Sequence, residues 1–443
     1  RIVRMSTLSE LLPSGGGGGS TVDFVASGVL SDGVTVVLKT DGTVEAVTAT
    51  AISQAIPLGS KTVFNTGQTE PISVSFDPNN TNTFVVAFVD LGNSGKGKCS
   101  VGTISGSTIT FGDKIIFDAS TIYQPSVAFN PNVANQFVVT WRDGGTGNYG
   151  KSCVGTVSGL AISYGTEVTF NSAYTKYSNV IFDKLDLNKF VIAYQNVGVS
   201  EYGYAIAGSI SGTSITYGTG VQFNAGESIW ISASFDPFTK GRFVVAYRDG
   251  GASNYGHSVI GSLSGTTITF GSEYVFSNYP ATDISVECDP FNEDKFIISC
   301  LNNTSTYGQA LVGTMTGNAI AYGTAVTFNS GGVYWTDIAF DPINSGKFLI
   351  SYFDNTKGAA ISGTISGTSL TFGTEAYFDT GNAQYSVSAF LPDVSGRFLT
   401  AYKDYASSNK GTAIISQMPA STTNLTTSNF VGTSTAAYTN AET

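Results

Sequence analysis

The stretch Ile72-Ser-Val-Ser-Phe-Asp-Pro78 decides the fold, because its second half recurs along the chain. Val74-Ser-Phe-Asp-Pro78 returns as Val127-Ala-Phe-Asn-Pro131, Ile181-Phe-Asp183, Ala233-Ser-Phe-Asp-Pro237, Val286-Glu-Cys-Asp-Pro290, Ile338-Ala-Phe-Asp-Pro342 and Ser388-Ala-Phe-Leu-Pro392. The anchors Phe76, Phe129, Phe182, Phe235, Cys288, Phe340 and Phe390 are spaced by 53, 53, 53, 53, 52 and 50 residues. A second anchor, Phe84, Phe137, Phe190, Phe243, Phe296, Phe348 and Phe398, keeps the same spacings. Two markers in register over seven copies establish a repeat, which must be recognised before any local reading.

Each unit reads as four strands. The first alternates, as in Ile72-Ser-Val-Ser-Phe76. A polar turn leads to Phe84-Val-Val-Ala-Phe88, apolar on both faces as a strand sandwiched between sheets should be. An Asp/Gly/Asn turn such as Asp143-Gly-Gly-Thr-Gly-Asn-Tyr-Gly150 precedes the third strand, and Ser-Gly-Thr turns into the fourth. Antiparallel four-stranded units of this length are propeller blades. No repeat carries a 3.6-residue apolar period, so a helical solenoid is excluded. The seventh unit runs out after about Gln417, while Gly59-Ser-Lys-Thr-Val-Phe-Asn-Thr-Gly67 matches the end of a fourth strand. The N-terminal strand is therefore expected to complete the last blade and remove the open edges. The prediction is an all-β chain: a seven-bladed β-propeller over 59–418, with a small N-terminal β module.

That module spans 21–58, where alternating segments are joined by Asp-Gly turns. It follows an N-terminal segment, 1–20, that ends in the flexible linker Gly15–Gly19. Residues 419–443, rich in Thr, Ser, Ala and Asn, are read as a tail or the start of a further module. The opening RIVRMSTLSELLPSGGGGGS lacks the apolar core of a signal peptide, with Met5 as a candidate start.

Composition narrows the function. Of 443 residues, 41% are hydrophobic and only 12% charged, and the net charge is −11. Such a chain repels phosphate backbones and anionic lipids, so neither nucleic acid nor membrane insertion is expected. His257 is the only histidine and is read as an exposed loop residue without a partner. With no zinc spacing, P-loop or dinucleotide fingerprint, no metal, cofactor or catalytic residue is assigned. Four cysteines do not make a disulfide framework; Cys99 and Cys153 should face opposite sides of their sheets, and all four are expected as free thiols.

Two sets of positions carry the site hypothesis. The turn position Asp90, Asp143, Asn196, Asp249, Asn302, Asp354 and Asp404 loosely resembles the Asp-box turn of sialidase-type propellers. One copy per unit, replaceable by Asn, is what a turn-capping side chain predicts, so these carboxylates are read as structural. Five residues before each first anchor lies a variable position: Pro71, Gln124, Tyr177, Trp230, Asp283, Trp335 and Tyr385. Chain direction places it on the same face as the Asp-Gly turns and as Tyr149, Tyr202, Tyr255 and Tyr307. Tyr177, Trp230, Trp335, Tyr385 and those four tyrosines form the candidate binding face, where aromatic planes stack on apolar sugar faces and amides read hydroxyls. Arg142 and Arg248 are expected on the outer part of the ring.

Met5-Ser-Thr-Leu-Ser-Glu-Leu-Leu-Pro-Ser-Gly-Gly-Gly, Asp23-Phe-Val-Ala-Ser-Gly28, Lys39-Thr-Asp-Gly-Thr-Val-Glu-Ala-Val47 and the repeat itself resemble tail-fibre-like virion proteins of marine tailed bacteriophages. Asn424-Leu-Thr-Thr-Ser-Asn-Phe-Val-Gly432 resembles a phage structural module that continues further. The resemblance implies a virion location, multiple copies per particle, and contact with other virion proteins through the N-terminal module. It implies a non-catalytic, adhesive propeller for a host-cell surface glycan. The alternatives are a capsid decoration without ligand, a cellular adhesin or lectin, and, ranked last, a glycan hydrolase.

Overall fold

The computed structural model describes residues 2–5, 22–26, 35–38, 43–46, 56–418 and 432–433. The chain divides into two compact units, Arg1–Ser53 with Ala420–Thr443, and Gln54–Pro419. In the first, five strands form one sheet in the order Ile2–Met5, Val22–Ala26, Thr43–Ala46, Thr35–Leu38, Gly432–Thr433. Only the pairing of Val22–Ala26 with Thr43–Ala46 is parallel. Thr35 lies opposite Thr433, which brings the C-terminal segment onto this sheet.

The larger unit is the ring of seven four-stranded blades. Blade two shows the pattern: an inner strand Ile122–Phe129 pairs with Gln136–Asp143, which pairs with Tyr149–Ser158, which pairs with Ala161–Tyr164 and Val168–Asn171. Blade seven is assembled from both ends of the unit, as expected. Its third strand, Lys410–Gln417, takes Ile56–Pro57 and Thr62–Asn65 as its outer partner. Apart from one-turn 3-10 segments such as Gly144–Thr146, the described residues hold no helix.

The repeated anchors pack as the apolar pattern dictates. Phe84, Phe137, Phe190, Phe243, Phe296, Phe348 and Phe398 are all fully buried. Each of the first six lies across a glycine of the neighbouring third strand. A Cβ on Gly208 would stand 2.1 Å from the Phe190 ring, so only glycine admits the aromatic there. That contact explains the recurring Val-Gly-Thr of the third strands. Cys99 and Cys153 do face opposite sides of their own sheets, and because blades stack face to face both enter the core between blades one and two. All four cysteines are free and buried, and burial pushes the Cys99 and Cys300 thiols up to about 12.

Blades are locked to one another by polar side chains as well as by apolar packing. The inner strands have no fifth strand to pair with at the axis, so their free N–H groups need acceptors. Ser73 Oγ accepts from Val127 N–H, Ser126 from Val180, Ser232 from Val286 and Ser285 from Ile338, at 3.1–3.2 Å. Asn179 and Asp337 do the same for Ala233 and Ser388. Val387 holds the equivalent position in blade seven and cannot accept. At the turns that follow the inner strands, Asp77, Asp183 and Asp341 each cap their own turn with one oxygen and take a backbone N–H of the next blade with the other.

Candidate functional site

The variable position sits at the mouth of the axial channel on the Asp-Gly-turn side, because each inner strand starts there and runs towards its Asp-Pro turn. Each inner strand carries a bulge at this point; in blade two the register shifts between Tyr123 and Ser126. A bulge re-aims the side chain it carries. Gln124, Tyr177, Trp230, Asp283, Trp335 and Tyr385 all adopt left-handed backbone, with φ between 49° and 55°. Bulky residues rarely occupy this region, and where they do the strain is a pointer to function. The seventh member, Pro71, is preceded by a cis peptide bond.

The seven side chains form an ordered circuit. Tyr177 N–H donates to Gln124 Oε1 at 3.1 Å, and the Tyr177 ring meets Trp230 at a centroid separation of 5.8 Å. Trp335 N–H donates to Asp283 Oδ1 at 3.0 Å, and the Trp335 ring meets Tyr385 at 4.4 Å. The circuit is thus two copies of one arrangement, an acceptor followed by two aromatics, closed by Pro71. Blade order puts the aromatic pairs on opposite sides of the axis, in blades three and four and in blades six and seven. All four aromatics are half-buried, and Trp335 also lies beside the Phe353 ring at a centroid separation of 5.7 Å.

Charge is distributed unequally between the pairs. Burial raises the Tyr177 hydroxyl, and the Arg248 and Arg142 charges oppose it. Arg142 packs its guanidinium 3.9 Å from the centre of the Tyr123 ring and donates to the Tyr174 hydroxyl at 2.9 Å. On the other side Lys403 pairs with Glu70 and lies 5.3 Å from the Tyr385 ring centre. Burial pushes the Asp283 carboxyl up to about 6, against the pull of Trp335 N–H and the Arg248 charge. Tyr123, Tyr174, Tyr334, Arg142, Arg248 and Lys403 therefore belong to this mouth. For the three cations a signal was available, since the residue before each turn position reads Val89, Arg142, Gln195, Arg248, Leu301, Phe353 and Lys403.

The remaining candidates lie further from the axis on the same face. Tyr149, Tyr202, Tyr255 and Tyr307 open the third strands opposite the turn residues Asp143, Asn196, Asp249 and Asn302. Tyr307 is exposed and the other three half-buried, and none enters the circuit at the mouth. Among the turn side chains, Asp143, Asp249, Asp354 and Asp404 accept backbone N–H groups of their own turns. Asp90 differs: it makes no such cap and pairs with Lys98 at 2.7 Å. His257 is not a loop residue; it lies in the strand Tyr255–Ser264 and is 8% exposed.

Beyond the mouth the channel widens into a cavity of about 500 Å³, lined by Ser73, Ser126, Ser232, Ser285, Glu287 and Asp337 among others. Its two carboxyls, Glu287 and Asp337, are half-buried in the channel wall. Burial pushes Glu287 up to about 8, helped by the charge of Asp337, and Asp337 up to about 7.

The fold and the mouth together define a β-propeller with an aromatic opening on its axis. Known structures share that architecture. The Sqt1 protein of Chaetomium thermophilum, bound to the N-terminus of the ribosomal protein L10, superposes with a TM-score of 0.52 at 10% identity, covering 79% of this chain and 86% of its own. The Dos1 propeller superposes with a TM-score of 0.50 at 10% identity, covering 82% of this chain and 95% of its own. At this identity the likeness is one of fold alone. No protein-family model and no curated protein sequence matches the chain.

Proposed function

We propose that this chain is a non-catalytic binding propeller that recognises a surface glycan through the aromatic mouth of its axial channel. The observation that carries this reading is the circuit of Tyr177, Trp230, Trp335 and Tyr385, four half-buried aromatics held in left-handed backbone around one opening. Half-buried aromatic rings offer stacking planes at little entropic cost. Gln124 and Asp283 beside them supply the polar atoms that read hydroxyls. The tail-fibre-like resemblance of the repeat and N-terminal segment supports placing the protein in a phage virion, with host recognition made strong by many weak contacts.

A second reading has one observation in its favour: the Sqt1 propeller is found with a peptide, the N-terminus of a ribosomal protein. The same mouth in this chain would then take a polypeptide terminus from a neighbouring virion component. The double variant Trp230→Ala with Trp335→Ala separates these readings when assayed on host cells and on a glycan array. Loss of cell and glycan binding by at least tenfold, with an unchanged unfolding temperature, supports glycan recognition. Unaltered cell binding overturns it. Gold labelling at fibre tips of particles is expected, and label spread over a capsid would transfer the protein to decoration.

A further inference from the structure

In several blades the turn residue, the third-strand residue after the glycine and a fourth-strand residue stand close to one another. In blade two they are Asp143, Lys151 and Glu167, and the Lys151 ammonium bridges both carboxylates, 2.8 Å from Asp143. In blade seven Lys61 takes the same role between Asp404 and Asp379 of blade six, at 3.3 and 2.6 Å. In blade four the carboxylates remain, as Asp249 and Glu273, but the lysine is replaced by His257. All three offer ligand atoms within 4.8 Å of one another.

This arrangement is left incomplete. His257 is 8% exposed, and neither its Nδ1 nor its Nε2 has a hydrogen-bond partner. Nδ1 lies 3.7 Å from Glu273 Oε2, too far for a hydrogen bond. The Tyr247 hydroxyl, on a fully buried side chain, faces Glu273 and Asp249. In blade six the equivalent Tyr352 donates to the equivalent Glu375. Buried polar atoms left unpaired are costly, and such vacancies gathered around two carboxylates ask for a cation.

We propose that Asp249, His257 and Glu273 form a site for a divalent first-row transition ion, with zinc as the reference case. One imidazole and two carboxylates suit zinc, manganese or cobalt better than magnesium or calcium, which favour all-oxygen sets. Asp249 Oδ1 is engaged by Gly251 N–H at 2.8 Å, which orients Oδ2 towards the ion. A tetrahedral zinc needs ligand atoms roughly 3.4 Å apart, so small side-chain rotations close the site. The Tyr247 hydroxyl donates to Glu273 once the ion fixes that carboxylate, as outer-shell partners do. The ion takes the place of the Lys151 ammonium and ties the third and fourth strands of blade four to its turn.

The test uses the full chain stripped by a chelator and titrated with Zn²⁺ or Co²⁺ alone. The expected result is one ion per chain, a Co²⁺ absorption spectrum of low coordination number, and an unfolding temperature several degrees higher with the ion in hundredfold excess over Kd. His257→Lys rebuilds the blade-two bridge, so it should stay folded in chelator while losing ion binding and ion-dependent stabilisation. Glu273→Gln should lose at least tenfold in affinity. A stoichiometry well below one overturns the proposal, as does equal stabilisation of wild type and His257→Lys. A His257 imidazole NMR signal that moves with pH but not with Zn²⁺ also overturns it, since a proton then does the bridging.

Discussion

The two ends of the ring are built from the same strands and obey different rules. At the Asp-Pro end a carboxylate recurs in five of the seven blades, and Asp77, Asp183 and Asp341 each hold two blades together through backbone N–H groups. At the other end the turns cap themselves, and the bulge beside the axis carries proline, amide, carboxylate, tyrosine or tryptophan in turn. A lock between blades must be repeated to close a ring, whereas a recognition surface needs each side chain once. Variation inside the repeat is therefore what the proposed recognition at the mouth rests on.

That contrast can be broken most directly by removing equivalent carboxylates at each end. Asp341 is buried and accepts from Ile343, Asn344 and Gly396. Asp341→Ala leaves those groups unpaired and should cost about 2–4 kcal/mol, read as a fall in unfolding temperature of roughly 4–8 °C. Asp354→Ala, in an exposed turn, should cost about 1 kcal/mol or less. Equal losses would show that both ends are structural.

The channel approaching the Asp-Pro end makes a pH prediction. Glu287 is raised to about 8 and Asp337 to about 7, both mainly by burial. A carboxyl whose folded pKa lies above its unfolded value keeps a proton that the unfolded chain has released, so stability falls as pH rises between the two values. The ring should lose several degrees of unfolding temperature between pH 5 and pH 8.5. Glu287→Gln with Asp337→Asn should flatten that slope and raise stability at pH 8.5, measured by calorimetry across the range. An unchanged slope would place the titration elsewhere.

The smallest effect on stability is expected at the mouth. Trp335→Gly removes a ring but also relieves a left-handed backbone at φ 52°, so the two contributions oppose one another. The unfolding temperature should move by about 2 °C or less, while binding at the mouth falls at least tenfold. A large drop in stability without loss of binding would make the aromatics wedges between blades.

Much of this was legible in the residues. The recurring Phe-Asp-Pro and the second Phe, at constant spacing, determined blade number, strand order and ring closure, because a repeat that cannot bury its faces alone must stack on copies of itself. The variable position stood out for the same reason, as the place where copies disagree. Other features required three dimensions. Ser73 and Ser126 read as the polar half of an alternating strand, yet their hydroxyls serve N–H groups one blade away. Arg142 packs on the Tyr123 ring and donates to Tyr174, residues 19 before it and 32 after it along the chain. His257 looked solitary because Asp249 and Glu273 stand 8 residues before it and 16 after it, across two turns. Periodicity along the chain records which residues share an environment. Only the folded ring decides what that environment contains, because its contacts join blades some fifty residues apart.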